Sequence, residues 1–224
     1  RSPGDRLLVI HRRSAGHGEG SHDRGMNSPL WLPSPLAPLT AVERRTSPDA
    51  LQWLTSRDLV AAATWEVYRA ADLPSTPALR AASLATWVVA DGALSHESAL
   101  WVHLGGTPPA LVHVTSPRAL RNARPQRRFY CAQIPVTEAQ EVGTTRVTTR
   151  IRTACDLARR MPPHGSTTAL DTFTRVQRIA ALLDAPGELE EARSYLERLH
   201  RQPGRPAAKT LFSQIAAWRS AGLL

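Results

Sequence analysis

Ser95, His96, Glu97 and Ser98 place the hydroxyl, imidazole and carboxylate of a hydrolytic triad in four consecutive positions. A triad needs three groups converging from separate elements, and neighbours on one helix point in different directions. The tetrad therefore reads as a serine N-cap followed by polar residues on a helix surface. No Gly-x-Ser-x-Gly elbow accompanies it. His96 and His103 are two turns apart on one helix, about 10 Å along the axis, too far to share a metal ion. Cys131 and Cys155 form no Cys-x-x-Cys pair and read as small buried thiols. No phosphate-binding loop or kinase signature is present. The strand-rich centre offers only Glu138, Glu141 and Asp156 to a metal-dependent nuclease. The expectation is a protein with no catalytic residues, no metal and no cofactor.

Arginine is the more informative residue type. Lys+Arg number 28 against 19 Asp+Glu, giving a net charge of +9 and a pI near 11.0, and Lys209 is the only lysine. Such a balance points to a polyanion, and guanidinium forks suit phosphates and guanine edges. The excess is local. Arg118, Arg121, Arg124, Arg127, Arg128, Arg146, Arg150, Arg152, Arg159 and Arg160 face three carboxylates in the same stretch, a surplus of seven out of the net nine. Aromatic residues are only 5% of the chain, too few for a single-strand stacking platform. Of the adjacent pair Phe129 and Tyr130, alternation along a strand sends one ring inward and one outward. Trp53, Trp65, Trp87, Trp101 and Trp218 lie in helical or strand runs, where core packing is the favoured role.

These residues need a scaffold, and the chain divides by composition. Residues 1–38 lack apolar periodicity and are rich in Gly, His, Arg and then Pro, so they read as a disordered arm and linker. Met26 stands where ordered composition begins; residues 1–25 are either foreign to the fold or a basic arm touching nucleic acid. Leu7–Ile10 is too short for a signal-peptide core, and no apolar run reaches the roughly 18–20 residues of a membrane span. The expected location is cytoplasmic.

From residue 39 the pattern predicts short helices at 40–45 and 48–55, then a β-prone piece ending at Arg69. Thr76 and Pro77 open an Ala-rich helix to about residue 90, and Ser95 begins another that closes at Gly105-Gly106. Strands are predicted at 110–115, 128–133 and 145–149, with a short helix at 153–160. Three helices fill 166–184, 187–201 and 206–221. The middle one has Glu188, Glu190 and Glu191 in its first turn and Arg198, His200 and Arg201 in its last, complementing the helix dipole. The expected class is α+β.

Four blocks in order resemble one family. They are Leu94-Ser-His-Glu-Ser-Ala-Leu-Trp-Val-His-Leu-Gly105, Leu111-Val-His-Val-Thr-Ser-Pro117, Val147-Thr-Thr-Arg-Ile-Arg-Thr-Ala-Cys-Asp-Leu-Ala-Arg159 and Thr168-Ala-Leu-Asp-Thr-Phe173. Together they resemble the AbiEi-like antitoxins of bacterial toxin–antitoxin operons, of actinobacterial type, over roughly residues 65–175. The resemblance implies a winged helix-turn-helix-like domain at 39–72, after the arm and linker of 1–38. It also implies a larger mixed α/β antitoxin domain at 73–224, ending in a helical bundle. Trp65-Glu-Val-Tyr-Arg69 is similar to the end of the family's wing strand, with Glu66 in place of its glycine.

The resemblance implies an antitoxin that counters a nucleotidyltransferase-type toxin, by contact or only functionally, and binds DNA at its own promoter as a repressor. The residues assigned to DNA are Arg57 and Arg69 in the first domain and Arg118, Arg121, Arg124, Arg127 and Arg128 in the second. Phosphate contacts would position the duplex, and a helix near 47–57 would read it. Two alternatives stand beside this reading. One is an antitoxin that masks or modifies the toxin protein without DNA binding; the other is a stand-alone transcription regulator.

Overall fold

A computed structural model describes residues 39–40, 47–65, 67–118, 125–161, 169–199 and 202–224. The chain is α+β and separates into two units, Arg1–Leu73 and Pro74–Leu224. The arm at 1–38, Arg121 and Arg124, and residues 41–45 of the helix predicted at 40–45 lie outside the described residues.

In the first unit, α1 (Pro48–Ser56) starts at Ser47, whose hydroxyl accepts the Ala50 N–H, with Pro48 in the first turn where no amide is needed. Asp58 takes φ +53, a left-handed conformation that Asp tolerates better than most residues, and turns the chain out of the helix. Strands β2 (Val60–Ala62) and β3 (Val67–Ala70) then pair antiparallel, and β1 (Leu39–Thr40) adds to the other side of β3. Thr40, expected to open a helix, is therefore a strand residue. Trp53 and Trp65, expected in the core, are both exposed.

The second unit is built on a five-stranded sheet. Its strands are β4 (Ala93–Leu94), β5 (Val112–Ser116), β6 (Arg127–Cys131), β7 (Ala139–Val142) and β8 (Thr145–Thr148), in the order β6-β5-β4-β8-β7. β5 runs parallel to β6 and β4 parallel to β8; the other pairings are antiparallel. Alternation sorts the side chains. Val112, Val114, Leu94 and Val147 pack with Leu84, Trp87, Trp101 and Val102 in one apolar cluster, against which Phe129 leans. His113, Thr115, Arg128 and Tyr130 project from the opposite side of β5 and β6, following the register His113↔Arg128 and Thr115↔Tyr130.

The helix expected to run from Pro77 to residue 90 stops early. α2 (Pro77–Ser83), capped by the Thr76 hydroxyl on the Leu79 N–H, ends at Leu84, and one 3-10 turn (Ala85–Trp87) follows. Trp87 is buried, and Val88 already has extended geometry, so the chain leaves the helical path to seat the indole in the core. α3 (His96–Leu104) is enclosed on most sides: Leu100 joins one apolar cluster, and Ala99, Trp101 and Val102 join the other. Arg80, itself buried, donates from Nε (3.1 Å) and Nη2 (2.8 Å) to the Val102 carbonyl in the last turn of α3.

Four more helices complete the unit: α4 (Arg150–Ala158), α5 (Ala169–Leu182), α6 (Glu188–Arg198) and α7 (Arg205–Ser220). Ala154, Leu157, Ile179, Leu183, Leu196, Phe212 and Ile215 form their shared core. Trp218 is partly buried against it. His200 and Arg201 lie outside the described residues. No described helix is long and apolar enough to cross a membrane.

Candidate functional site

The polar side of β5 and β6, the start of α3, the α4 helix, α6 and the β6–β7 connection enclose a cleft of about 740 Å³. A cleft of this size falls in the range that holds one small ligand.

One wall is a stack of rings. His96, separated from β4 only by Ser95, takes φ +48, which turns its imidazole onto Tyr130; the ring centroids are 3.8 Å apart and the planes 19° from parallel. The Arg160 guanidinium carbon lies 4.3 Å from the Tyr130 centroid. Two groups this close to one centroid cannot share a face, so Tyr130 is sandwiched between imidazole and guanidinium. The Tyr130 hydroxyl meets His113 Nδ1 at 3.2 Å, and His96 Nδ1 meets Ser95 Oγ at 3.0 Å. Thr115 Oγ1 donates to Ser95 Oγ at 2.8 Å, and Ser98 Oγ accepts the His113 N–H at 2.9 Å.

The triad-like tetrad thus has a different structure from the one expected. Ser95 precedes α3 but its hydroxyl caps no helix N–H, being held by Thr115 and His96. His96 and Ser98 are buried rather than on a helix surface. His103 bonds the Thr148 carbonyl (2.8 Å), well away from His96.

The opposite wall is an ion-pair network. Thr149 caps α4 on the Arg152 N–H, which sets Arg152, Asp156 and Arg159 along one side of the helix. Arg152 donates to Asp156 Oδ2 at 2.8 Å and to Glu138 Oε2; Tyr195 donates to the same Glu138 oxygen at 3.1 Å. Arg159 reaches Asp156 Oδ1 at 3.4 Å and Gln202 Oε1 at 3.0 Å. Two carboxylates distant in sequence therefore converge, and Arg152 occupies both. Among the described residues no group of three or more His, Cys, Asp or Glu side chains is placed to hold a metal.

Charge in the cleft is lopsided. Arg128, Arg152, Arg159 and Arg160 line it against Glu138 and Asp156. Arg128 and Arg160 have no carboxylate partner among the described residues. Burial first, and then the charges of Arg128, Arg175 and Arg160, push His113 down to about 4. Burial, with His113 and Arg160 next, pushes His96 down to about 2. Both imidazoles are neutral at neutral pH. Burial would lower Arg152, but Asp156 beside it holds it above the ordinary arginine value. Burial raises the hydroxyls of Tyr130 and Tyr195.

The arginines assigned to DNA end up in different settings. Arg57 is exposed on α1, its guanidinium 5.4 Å from the Trp53 centroid. Arg69 is half-buried and donates to the carbonyls of Ala70, Ala71 and Leu73. Arg118 is exposed and pairs with Asp91 at 2.7 Å. Arg127 lies over Phe129 (4.2 Å) and donates to the Trp87 carbonyl (3.2 Å). Of the described members of this set, only Arg128 lines the cleft. Cys131, expected to be buried, is exposed, whereas Cys155 is buried.

Arg159, Arg160, His96, His113, Tyr130 and Tyr195 were not singled out as binding residues from sequence. One signal does exist: His96 and Ser98 are polar positions inside the apolar run Leu94–Leu104, as expected of a buried helix with a polar seam. Comparison with protein-family models and with curated proteins finds no match to this chain.

Proposed function

We propose that this chain is an AbiEi-like antitoxin that binds nucleic acid, represses its own operon and counters a nucleotidyltransferase-type toxin. The carrying observation is the charge surplus of residues 118–160, which the fold compensates only in part, Asp91 pairing Arg118 and Glu188 pairing Arg150. Arg128, Arg146 and Arg160 have no carboxylate partner among the described residues, and the Arg118 side chain is 73% exposed. Guanidinia in this state bind phosphates by releasing counterions. The first unit supports the winged-helix part of the reading: α1 exposes Gln52, Thr55, Ser56 and Arg57, and an antiparallel hairpin follows it at once.

The test is binding of the chain to DNA from upstream of its own gene across a salt series. If Arg118, Arg121, Arg124 and Arg128 touch phosphates, log K falls against log salt with a slope near −4. The triple variant R118Q/R121Q/R124Q flattens it by about two to three units for every sequence alike. A salt-independent affinity overturns the nucleic-acid reading, and failure to rescue growth on co-expression with the neighbouring toxin overturns the antitoxin reading.

One observation favours the reading in which the toxin protein itself is masked. The described residues of the first unit carry Arg57 and Arg69 against Asp49, Asp58 and Asp72, and Arg69 is spent on carbonyls. These described residues offer few free cations to grip a phosphate. Rescue of growth without promoter binding selects this second reading.

A further inference from the structure

We infer that the cleft between β6 and α4 is a binding site for a terminal phosphate, a phosphomonoester of mononucleotide size, seated between Arg128 and Arg160. The inference rests on the reading of nucleic acid as partner and names the chemical unit that this cleft accepts.

Both guanidinia approach one ring: their carbons lie 6.0 Å (Arg128) and 4.3 Å (Arg160) from the Tyr130 centroid. The ring cannot swing away. His96 covers its other face, and its hydroxyl is tied to His113. Arg160 is thus held against the ring without spending its N–H donors on a carboxylate, and part of the entropy cost of ordering it is met before a ligand arrives. The two other arginines of the cleft differ in kind, since Arg152 and Arg159 are engaged by Glu138 and Asp156.

The uncommitted charge is therefore two, matching the nearly double negative charge of a phosphomonoester at neutral pH. An internal diester carries one negative charge per phosphate and its chain continues on both sides. On the far wall Glu138 and Asp156 occupy Arg152 and Arg159, which leaves no uncommitted cation there for a second phosphate. With about 740 Å³ available, the cleft holds one nucleotide-sized group. His96, which lines the cleft and is kept neutral, can hydrogen-bond the ester.

The same purified full-length chain is titrated by calorimetry with AMP, adenosine and inorganic phosphate. It is also titrated with a single-stranded tetranucleotide bearing either a 5′-phosphate or a 5′-hydroxyl. AMP binds at least tenfold more tightly than adenosine, inorganic phosphate competes with it, and the 5′-phosphorylated strand exceeds its 5′-hydroxyl twin by a similar factor. Preference for AMP over the phosphorylated strand assigns the site to a free nucleotide, and the reverse order to a strand end. R128Q and R160Q each weaken AMP at least tenfold; R128Q, at an exposed position with no carboxylate partner among the described residues, is the control should R160Q melt early. Equal binding of AMP and adenosine, or R128Q and R160Q both within twofold of wild type, overturns the inference. Duplex binding with the expected salt slope can survive that result, and phosphate binding in the cleft can survive loss of duplex binding, so the two failures are distinguishable.

Discussion

The imidazole of His96 lies face to face with the phenol of Tyr130, centroids 3.8 Å apart, although the residues sit on α3 and β6. The contact requires the left-handed φ of +48 at His96 and a neutral imidazole, because the guanidinium of Arg160 lies over the same phenol. The stack joins the edge of the sheet to the start of the central helix, and three arginines of α4 and its end close the cleft around it.

Neutral histidines make stability depend on pH with a definite sign. His96 and His113 titrate near 6.5 in the unfolded chain but at about 2 and about 4 in the fold, and burial lowers His103 as well. The unfolded chain then binds more protons below pH 6.5, so stability falls as pH drops through that value. The decline from His96 and His113 together reaches about 2–2.5 kcal/mol per pH unit between roughly pH 5.5 and 4.5. Denaturant melts of wild type and H113N between pH 7.5 and 4.5 check this. A wild-type stability flat over that range, or an equal slope in H113N, contradicts the neutral-imidazole account.

Leu84 is fully buried between the end of α2 and the sheet. Leu84→Ala costs about 2–5 kcal/mol, as large-to-small core changes do. Arg128→Gln, at an exposed and unpaired position, leaves stability within about 0.5 kcal/mol. Thermal melts of the two variants compare them; an Arg128→Gln loss as large as that of Leu84→Ala makes the cleft arginine structural.

How much of this was legible in the sequence depends on the range of the signal. α6 and α7 follow local chemistry, acids in the first turn of one and Arg205-Pro206 opening the other, and their bounds fall within a few residues of expectation. β5, β6 and β8 carry runs rich in β-branched or aromatic residues and were legible too. β4 has only two residues, and β7, Ala-Gln-Glu-Val, lacks any alternating apolar pattern, so neither was. α2 was overextended because alanine propensity speaks for helix, while the pull of Trp87 into the core is tertiary. The basic segment was visible as charge. Its convergence with His96, Glu138 and Tyr195 was not, since those residues span 100 positions and meet only through sheet order and helix packing.

Arg152 and Asp156 are 7% and 4% exposed and paired at 2.8 Å. Arg152→Ala strands Asp156, with only the longer Arg159 contact left, and frees Glu138. The loss is about 3–5 kcal/mol, the range for breaking a buried pair by removing one partner. The double variant R152A/D156A loses less than the two single losses added, because neither buried charge is left alone. Urea melts of the four proteins close the cycle, and strict additivity would show that the two side chains do not act as a pair.

Gly204 and Gly187 precede α7 and α6, both with left-handed φ (+76 and +84), yet their surroundings differ. A Cβ at Gly187 meets nothing within 4 Å; one at Gly204 would overlap the Arg159 carbonyl oxygen and lie 3.1 Å from the Arg159 Cα. Gly187→Ala therefore carries only the conformational cost of a left-handed residue, about 1–2 kcal/mol. Gly204→Ala adds a backbone overlap that no rotamer can relieve, and the total comes to about 2–5 kcal/mol. The consequence reaches the cleft. Arg159 sits at the end of α4, donates to the Pro203 carbonyl at 3.3 Å and holds Asp156, so displacing its backbone loosens the ion-pair wall that it shares with Arg152. Melts of both variants, with AMP titration of the folded Gly204→Ala protein, separate the two effects. Equal destabilisation by the two substitutions would mean that the close approach of α7 to the end of α4 is not what requires glycine at 204.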